Sequence, residues 1–364
     1  MNGQETEVAK ANPSVLFITR SYPPVVGGME MLSYNLTTSI GRITKTRVIA
    51  NTRGKKYLPI FLFTVFLRVI FIAKNYDIIH IGDPVLSRIG LLIRSLTKKK
   101  VVMEVHGLDI LYPSLFYQLY LKIFFRSSAD IYVCISKHVQ KLLNEKFPGL
   151  NSVVITPGIN DDFYTPDTSK GDLEVILNHS LADKKVIITV GRLVERKGVA
   201  WFVEHVMSKL PDNIIYIIAG RGHEQEKISR LIKDLHLENK VYFVSGVSQK
   251  NLNLLYNSAD LFIMPNISIP NNTEGFGLVA LEASSCGTPV IASSIEGITD
   301  AVTNEKNGWL ATEKNPASFV ELITKHINDK QNITDSVRQF VLQNYNWKNI
   351  AQQYVDAFKT VIKK

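Results

Sequence analysis

Cysteine is nearly missing: the 364 residues hold two, Cys134 and Cys286, far apart and without metal-ligand spacing. That excludes a disulfide framework or a cysteine zinc site and fits unpaired thiols of a cytosolic protein, with Cys134 inside a buried strand. No run is long enough for a comfortable membrane span. The most apolar stretch, Tyr57 to Ala73, has Arg68 as its only charge; as a helix it reaches about 26 Å, short of a roughly 30 Å hydrocarbon core. The first fourteen residues are mostly polar and contain no apolar core for a signal peptide. Neither zinc spacing nor a nucleic-acid-binding motif occurs. Acidic charge is short in the first part of the chain. Residues 1–165 carry 20 Lys/Arg against 11 Asp/Glu, whereas residues 166–364 carry 22 of each, so the whole net charge of +9 lies before residue 166. A basic half suits a phosphorylated ligand or an anionic membrane.

With 45% hydrophobic and 21% charged residues, the composition is that of a globular protein large enough for two cores. Short apolar runs alternate with helical segments throughout, which argues two doubly wound α/β domains with parallel sheets. In the first, Val15–Ile18 reads as a strand, and Pro23-Pro24-Val25-Val26-Gly27-Gly28 as a loop entering a helix from about Met29 to Ile40. Gly27-Gly28 permits close backbone approach to a ligand, without the spacing of a dinucleotide fingerprint. Tyr57–Ala73 reads as a largely buried core helix, one face of which is apolar enough to dip into a membrane surface between Arg53, Lys55, Lys56 and Lys74. His106 follows the strand Val101–Val105, at the strand end where open α/β sheets bind ligands. Ser136 is placed to cap the helix 137–146.

A polar linker from about Pro166 leads to the second domain. There Lys185–Val190 is a strand followed by Gly191-Arg192-Leu193-Val194-Glu195-Arg196-Lys197-Gly198, whose cations at a strand-to-helix junction suit a diphosphate; Arg196 reads as a solvated loop cation. Gly220 and Gly222 follow the strand Ile214–Ala219, and Gly246 and Val247 end the strand that begins at Val241. Most distinctive is Thr273-Glu274-Gly275-Phe276-Gly277-Leu278-Val279-Ala280-Leu281-Glu282. Its glycines open a helix whose first N–H groups are unpaired and attract an anion. Glu274 lies before that helix and Glu282 within it, so one segment offers carboxylates on either side of a phosphate.

Taken together, the Gly-Gly loop, His106-Gly107-Leu108-Asp109, Gly191-Arg192 to Gly198 and the Glu274 to Glu282 string resemble the family 4 retaining glycosyltransferases, over nearly the whole chain from Val15. The longer loop Asn266–Asn272 resembles the phosphatidylinositol mannosyltransferase-like subgroup, and Glu296-Gly297 stands where Gly-Gly is common. The resemblance implies the GT-B fold, two Rossmann-like domains facing a cleft: an acceptor-side domain over 1–165, a nucleotide-sugar domain over 166–344, and a C-terminal helix, 345–364, crossing back to the first. It also implies a retaining hexosyltransferase, mannosyl favoured, acting on a glycan or lipid-linked acceptor. Catalytic roles fall to His106, Arg192, Lys197 and Glu274. Donor contacts fall to Gly27, Gly28, Gly191, Arg192, Lys197, Gly220, Gly222, Gly246, Val247, Gly275, Phe276, Gly277, Leu278 and, on the ribose, Glu282. No Asp-x-Asp occurs, so neither metal nor cofactor is expected beyond the sugar-nucleotide donor. A cytoplasmic site, peripheral on an anionic membrane, follows as an expectation. A sugar-nucleotide epimerase of the same fold and an inactive nucleotide-sugar binding protein are the alternatives.

Overall fold

A computed structural model describes residues 12–25, 27–160, 170–177, 179–244 and 249–363. The chain divides into two compact units, one comprising the residues up to Gly158 together with Trp347–Lys364, the other Ile159–Asn346.

In the first unit the apolar runs become six strands, β1 (Val15–Thr19), β2 (Thr46–Ala50), β3 (Ile78–Ile81), β4 (Lys100–Val105), β5 (Ile131–Cys134) and β6 (Ser152–Val154), ordered β2-β1-β3-β4-β5-β6. All pair in parallel, with Val15 opposite Thr46 on one side and Ile78 on the other. Parallel strands are covered on both faces, which is why they read as unbroken Val/Ile/Leu runs. On one face Val15, Phe17, Ile78, Val102 and Val133 pack against the helices Gly28–Gly41 and Trp347–Lys363. The helix Lys137–Lys146 is capped by Ser136, whose hydroxyl accepts from the Val139 amide at 3.0 Å.

The second unit repeats the plan with β7 (Lys185–Val190), β8 (Ile214–Ala219), β9 (Val241–Val244), β10 (Leu261–Met264), β11 (Val290–Ser293) and β12 (Gly308–Ala311), ordered β12-β11-β10-β7-β8-β9. Its core joins Ile187, Tyr216, Ile218 and Ile263 to Phe202 and Phe319 of the flanking helices. Cys134 and Cys286 are both buried and unpaired. Of the linker, the part over 166–169 lies outside the described residues; the helix Lys170–Leu177 follows it.

One expectation fails. The run after Lys55 is a helix, Leu58–Ala73, but only one stripe of it is core. Only Phe61, Val65, Val69 and Ala73 are buried, while Ile60, Phe63, Leu67 and Phe71 stand more than half exposed. With its short lead, Lys55–Ala73 is long and apolar enough to cross a membrane by length and composition alone. Its ends, however, join β2 and β3, which flank β1 in one sheet. The helix is a crossover held against that sheet. An all-round apolar sequence does not encode which of its faces the sheet will cover.

Candidate functional site

Ligands of open α/β sheets bind beyond the carboxyl ends of strands where the strand order reverses. In the second unit that point lies between β7 and β10. The chain leaves β7 through Gly191 and exposed Arg192, passes a short turn Glu195–Lys197, and enters the helix Val199–His205. From β10 it continues through Pro265 and Asn266 to Glu274. Gly198 takes φ +66 there, and a side chain on it would strike the Pro265 carbonyl. The Ile267 amide donates to the Arg196 carbonyl at 3.0 Å, so the two loops are tied together.

Their side chains converge on one carboxylate. Glu274 Oε2 lies 2.5 Å from Lys197 Nζ, accepts from Asn266 Nδ2 at 3.0 Å, and also bonds Arg196. Arg196 is therefore buried and paired rather than solvated, because the folded Glu274 loop closes over it. Burial alone would raise the Glu274 carboxyl, but Lys197 and Arg196 outweigh it and hold it down at about 2. Burial lowers the Lys197 ammonium, helped by Arg196 and Arg192 and opposed by Glu274. Two nearly buried cations thus share one anion, with Arg192 close by. The surplus positive charge is what a bound phosphate would neutralise.

Just beyond, Gly277 adopts φ +98 at the N-cap of the helix Leu278–Ser285 and offers no side-chain cap. The first turn contains no acidic residue, so the helix start remains suited to an anion. Phe276 is buried, packed 6.2 Å from the Tyr345 ring, which fixes the turn. Within the helix, Glu282 accepts from the Tyr256 hydroxyl at 2.7 Å, and burial raises its carboxyl against the pull of that bond and of Lys197. Gly275 faces Gly297, where a Cβ would meet the Gly275 carbonyl oxygen at 2.0 Å. The neighbouring Glu296 accepts from the Glu274 amide at 2.5 Å. On the other side, Gly220 (φ +157) passes so near Gly191 that a Cβ would lie 1.8 Å from its carbonyl, and Gly222 is as tight against Leu193.

The first unit presents a different centre. His106 Nε2 lies 3.0 Å from the Gly82 carbonyl, and its backbone amide donates to Asp109 at 2.8 Å. Buried Glu104 stands 3.6 Å from the same ring and 3.8 Å from His80, and accepts from the Tyr354 hydroxyl. Burial pushes Glu104 upward and takes His80 down to about 3, so His80 stays neutral. Gly27 and Gly28 open the helix Gly28–Gly41, Gly27 extended with Glu30 near it.

Within the second unit, Gly191, Lys197, Gly220, Glu274, Gly275, Gly277, Leu278 and Glu282 gather around the β7/β10 switch point, with Arg192 at the β7 end. Gly27, Gly28 and His106 belong to the first unit. Gly246 and Val247 lie outside the described residues. Sequence reasoning missed Arg196, Asn266, Tyr256 and Glu104, and recorded Glu296 only as a departure from a glycine; the one available signal was the position of Asn266 directly after β10 and Pro265. Among the described residues no three His, Cys, Asp or Glu side chains gather as metal ligands.

Comparison with known proteins gives two family matches, Glycosyl transferases group 1 over residues 178–352 and Glycosyltransferase Family 4 over residues 7–163. An uncharacterized glycosyltransferase of Methanocaldococcus jannaschii is 28% identical over 306 residues, 79% of this chain and 76% of that protein. The GDP-mannose-dependent alpha-(1-6)-phosphatidylinositol monomannoside mannosyltransferase of Mycolicibacterium smegmatis is 25% identical over 272 residues, 72% of this chain and 71% of that one. Among solved structures, Anabaena HepE in complex with UDP and glucose superimposes with a TM-score of 0.75 at 21% identity, covering 96% of this chain and all of that one. The catalytic domain of Arabidopsis thaliana starch synthase IV, bound to ADP and acarbose, gives 0.78 at 15%, covering 97% of this chain and 100% of its own. These likenesses establish the GT-B fold.

Proposed function

The chain belongs to the family 4 glycosyltransferases, and from that premise we propose that it moves a hexosyl unit, with retention, from a nucleotide diphosphate sugar to a glycan or lipid-linked acceptor. The observation that carries this reading is the Lys197–Glu274–Arg196 cluster beside the uncapped start of the helix Leu278–Ser285. A diphosphate there would meet surplus positive charge and free N–H groups, and would release Lys197 from part of its bond to Glu274. Glu274, so freed, would accept from sugar hydroxyls, and Glu282 from the ribose.

In the reaction the bond between the anomeric carbon and the diphosphate oxygen breaks, and the acceptor oxygen bonds that carbon on the same face. The acceptor's proton passes to the departing phosphate oxygen. Negative charge grows on the diphosphate, and Arg192, Lys197 and the helix N–H groups stabilise it more in the transition state than before. His106 is assigned to the sugar or α-phosphate side. Because the sequence has no Asp-x-Asp, the cations of the protein take the metal's part, and no cofactor is invoked. Mannose is favoured by the similarity to the mycobacterial mannosyltransferase. A cytoplasmic site at a membrane face would suit a lipid-linked acceptor.

The test is incubation with a panel of uridine, guanosine and adenosine diphosphate sugars while following released nucleoside diphosphate, with the anomeric configuration of the product read by NMR. An α-linked product from an α-linked donor is expected. A folded protein that releases nucleoside diphosphate from no donor overturns the reading; a β-linked product overturns retention.

A further inference from the structure

Strands β2, β3, β4 and β5 lead the chain stepwise in one direction across the first sheet. Right-handed crossovers therefore set the helices Leu58–Ala73, Ser87–Thr97 and Leu115–Phe124 side by side on one face. The middle helix packs against both neighbours. From it, the Arg88 guanidinium lies 5.5 Å from the Phe66 ring and 6.0 Å from the Phe124 ring. One cation thus bridges the two outer helices.

Each outer helix keeps an apolar stripe in water. Beside the stripe Ile60, Phe63, Leu67 and Phe71 described above runs a second. Helix Leu115–Phe124 turns Tyr117, Tyr120 and Leu121 inward, Tyr117 donating to the Asp109 carbonyl and Tyr120 to the Val85 carbonyl, both at 2.7 Å. That leaves Leu115 and Phe116, each 87% exposed, with Leu119 and Ile123 on the outside. Contiguous apolar surface of this kind marks a contact site.

Charge identifies what it contacts. Between Arg53 and Arg126 there are twelve Lys/Arg and four Asp/Glu. Asp83 and Glu104 are buried, Asp109 accepts from the His106 amide, and Asp77 bonds Ser14. A second copy of the chain would set this positive field against itself. An anionic bilayer complements both the apolar stripes and the excess of cations along the segment that carries them. The geometry points to a two-helix platform on which the first unit lies on anionic lipid, both stripes reaching the headgroup boundary. The next step rests on the transferase reading. Each crossover helix starts at the carboxyl edge of the sheet, so Tyr57, Ile60 and Phe63, and equally Tyr112, Leu115 and Phe116, lie toward the edge where His106 follows β4. A membrane-held acceptor meets the unit there.

Sedimentation with vesicles tests the platform, using phosphatidylcholine alone and its equimolar mixture with phosphatidylglycerol. The full chain is compared with Phe63→Asp and Phe116→Asp, both at exposed positions, with circular dichroism and melting to verify folding. Binding to the mixed vesicles alone, weakened about tenfold or more by either substitution, is expected. Loss with Phe63→Asp but not Phe116→Asp overturns the second helix's share. Equal binding to neutral vesicles overturns the charge argument. No vesicle binding, with a dimer in analytical ultracentrifugation that Phe116→Asp dissociates, replaces the bilayer by a second copy. Nucleoside diphosphate release is measured in the same samples without vesicles. Release without vesicle binding sinks the platform and spares the transferase; vesicle binding without release from any donor does the reverse.

Discussion

The two units share one architecture, six parallel strands under helices, and differ in what they show to solvent. The first unit holds 24 Lys/Arg against 10 Asp/Glu, the second 18 against 23. Among the described residues, every exposed large hydrophobic except Val175 and Leu235 belongs to the first. The second, a unit of negative net charge, buries two of its cations, Arg196 and Lys197, in a knot on Glu274. The doubly wound fold dictates the core of each unit and leaves its surface free. One unit uses that freedom for a broad, wet, basic and apolar face, the other for a small, dry, charged point. Forces on the two should respond differently to salt, because exposed charges are screened and buried ones much less so.

The contrast is broken most sharply at Glu274. Glu274→Ala leaves Arg196 and Lys197 without their counter-charge, and stability should fall by about 3–5 kcal/mol, read by urea unfolding. Glu274→Gln should show where this comes from. With its folded-state value at about 2, below the ordinary carboxylate range, Glu274 stabilises fully above pH of about 4.5 and loses that contribution as pH falls toward 2. Wild type and variant should converge over that interval; a constant difference would mean that the carboxylate's charge is not what matters. Next in size, Arg192→Ala or Lys197→Ala should reduce transfer by about 2–4 kcal/mol, or 10²–10³-fold, with Arg192→Ala the cleaner case because its side chain is exposed. Near-normal turnover in both would remove them from catalysis. Glu282→Ala should weaken nucleoside diphosphate binding by about 1.5–3 kcal/mol in calorimetry, the scale of a hydrogen bond to a charged group, with little change in vesicle binding. In the first unit, Lys55→Glu with Lys56→Glu should weaken vesicle adsorption by about 1 kcal/mol per residue at low salt and leave nucleotide affinity unchanged. Smallest of all is the effect expected of EDTA on product formation, none. Loss restored by manganese or magnesium would contradict transfer without metal.

Much of this was readable in the chain. Val15–Thr19, Lys185–Val190 and Leu261–Met264 are short, uniformly apolar and bounded by turn residues, the marks of strands buried on both faces. Ser136 and Gly277 fixed two helix starts because capping is local chemistry. Arg196 was not readable: in sequence it is a loop cation like Arg192, and only tertiary contact with Glu274 buries one and exposes the other. Glu104 resembled any residue of a strand until Tyr354, 250 positions away, came to lie on it. In the helix Leu58–Ala73 the sequence is apolar all round, so it carried no period from which exposure could be read. Phe116 shows the same limit from the other side, since an exposed stripe and a buried one are written in the same residues.

The helix Trp347–Lys363 has a consequence in time. It supplies Ile350, Tyr354, Val355 and Phe358 to the core of the first unit, all of them buried. Yet the ribosome delivers it only after the second unit, about 190 residues long, has been made. At ordinary elongation rates that is a wait of roughly 10–40 s. During it the first sheet has one face unfinished, with Phe17, Val102 and the ring of His80 short of the cover this helix brings. The second unit, contiguous in the chain, has everything it needs before the first does. Synthesis therefore reverses the order of the units: the one begun first is the one completed last.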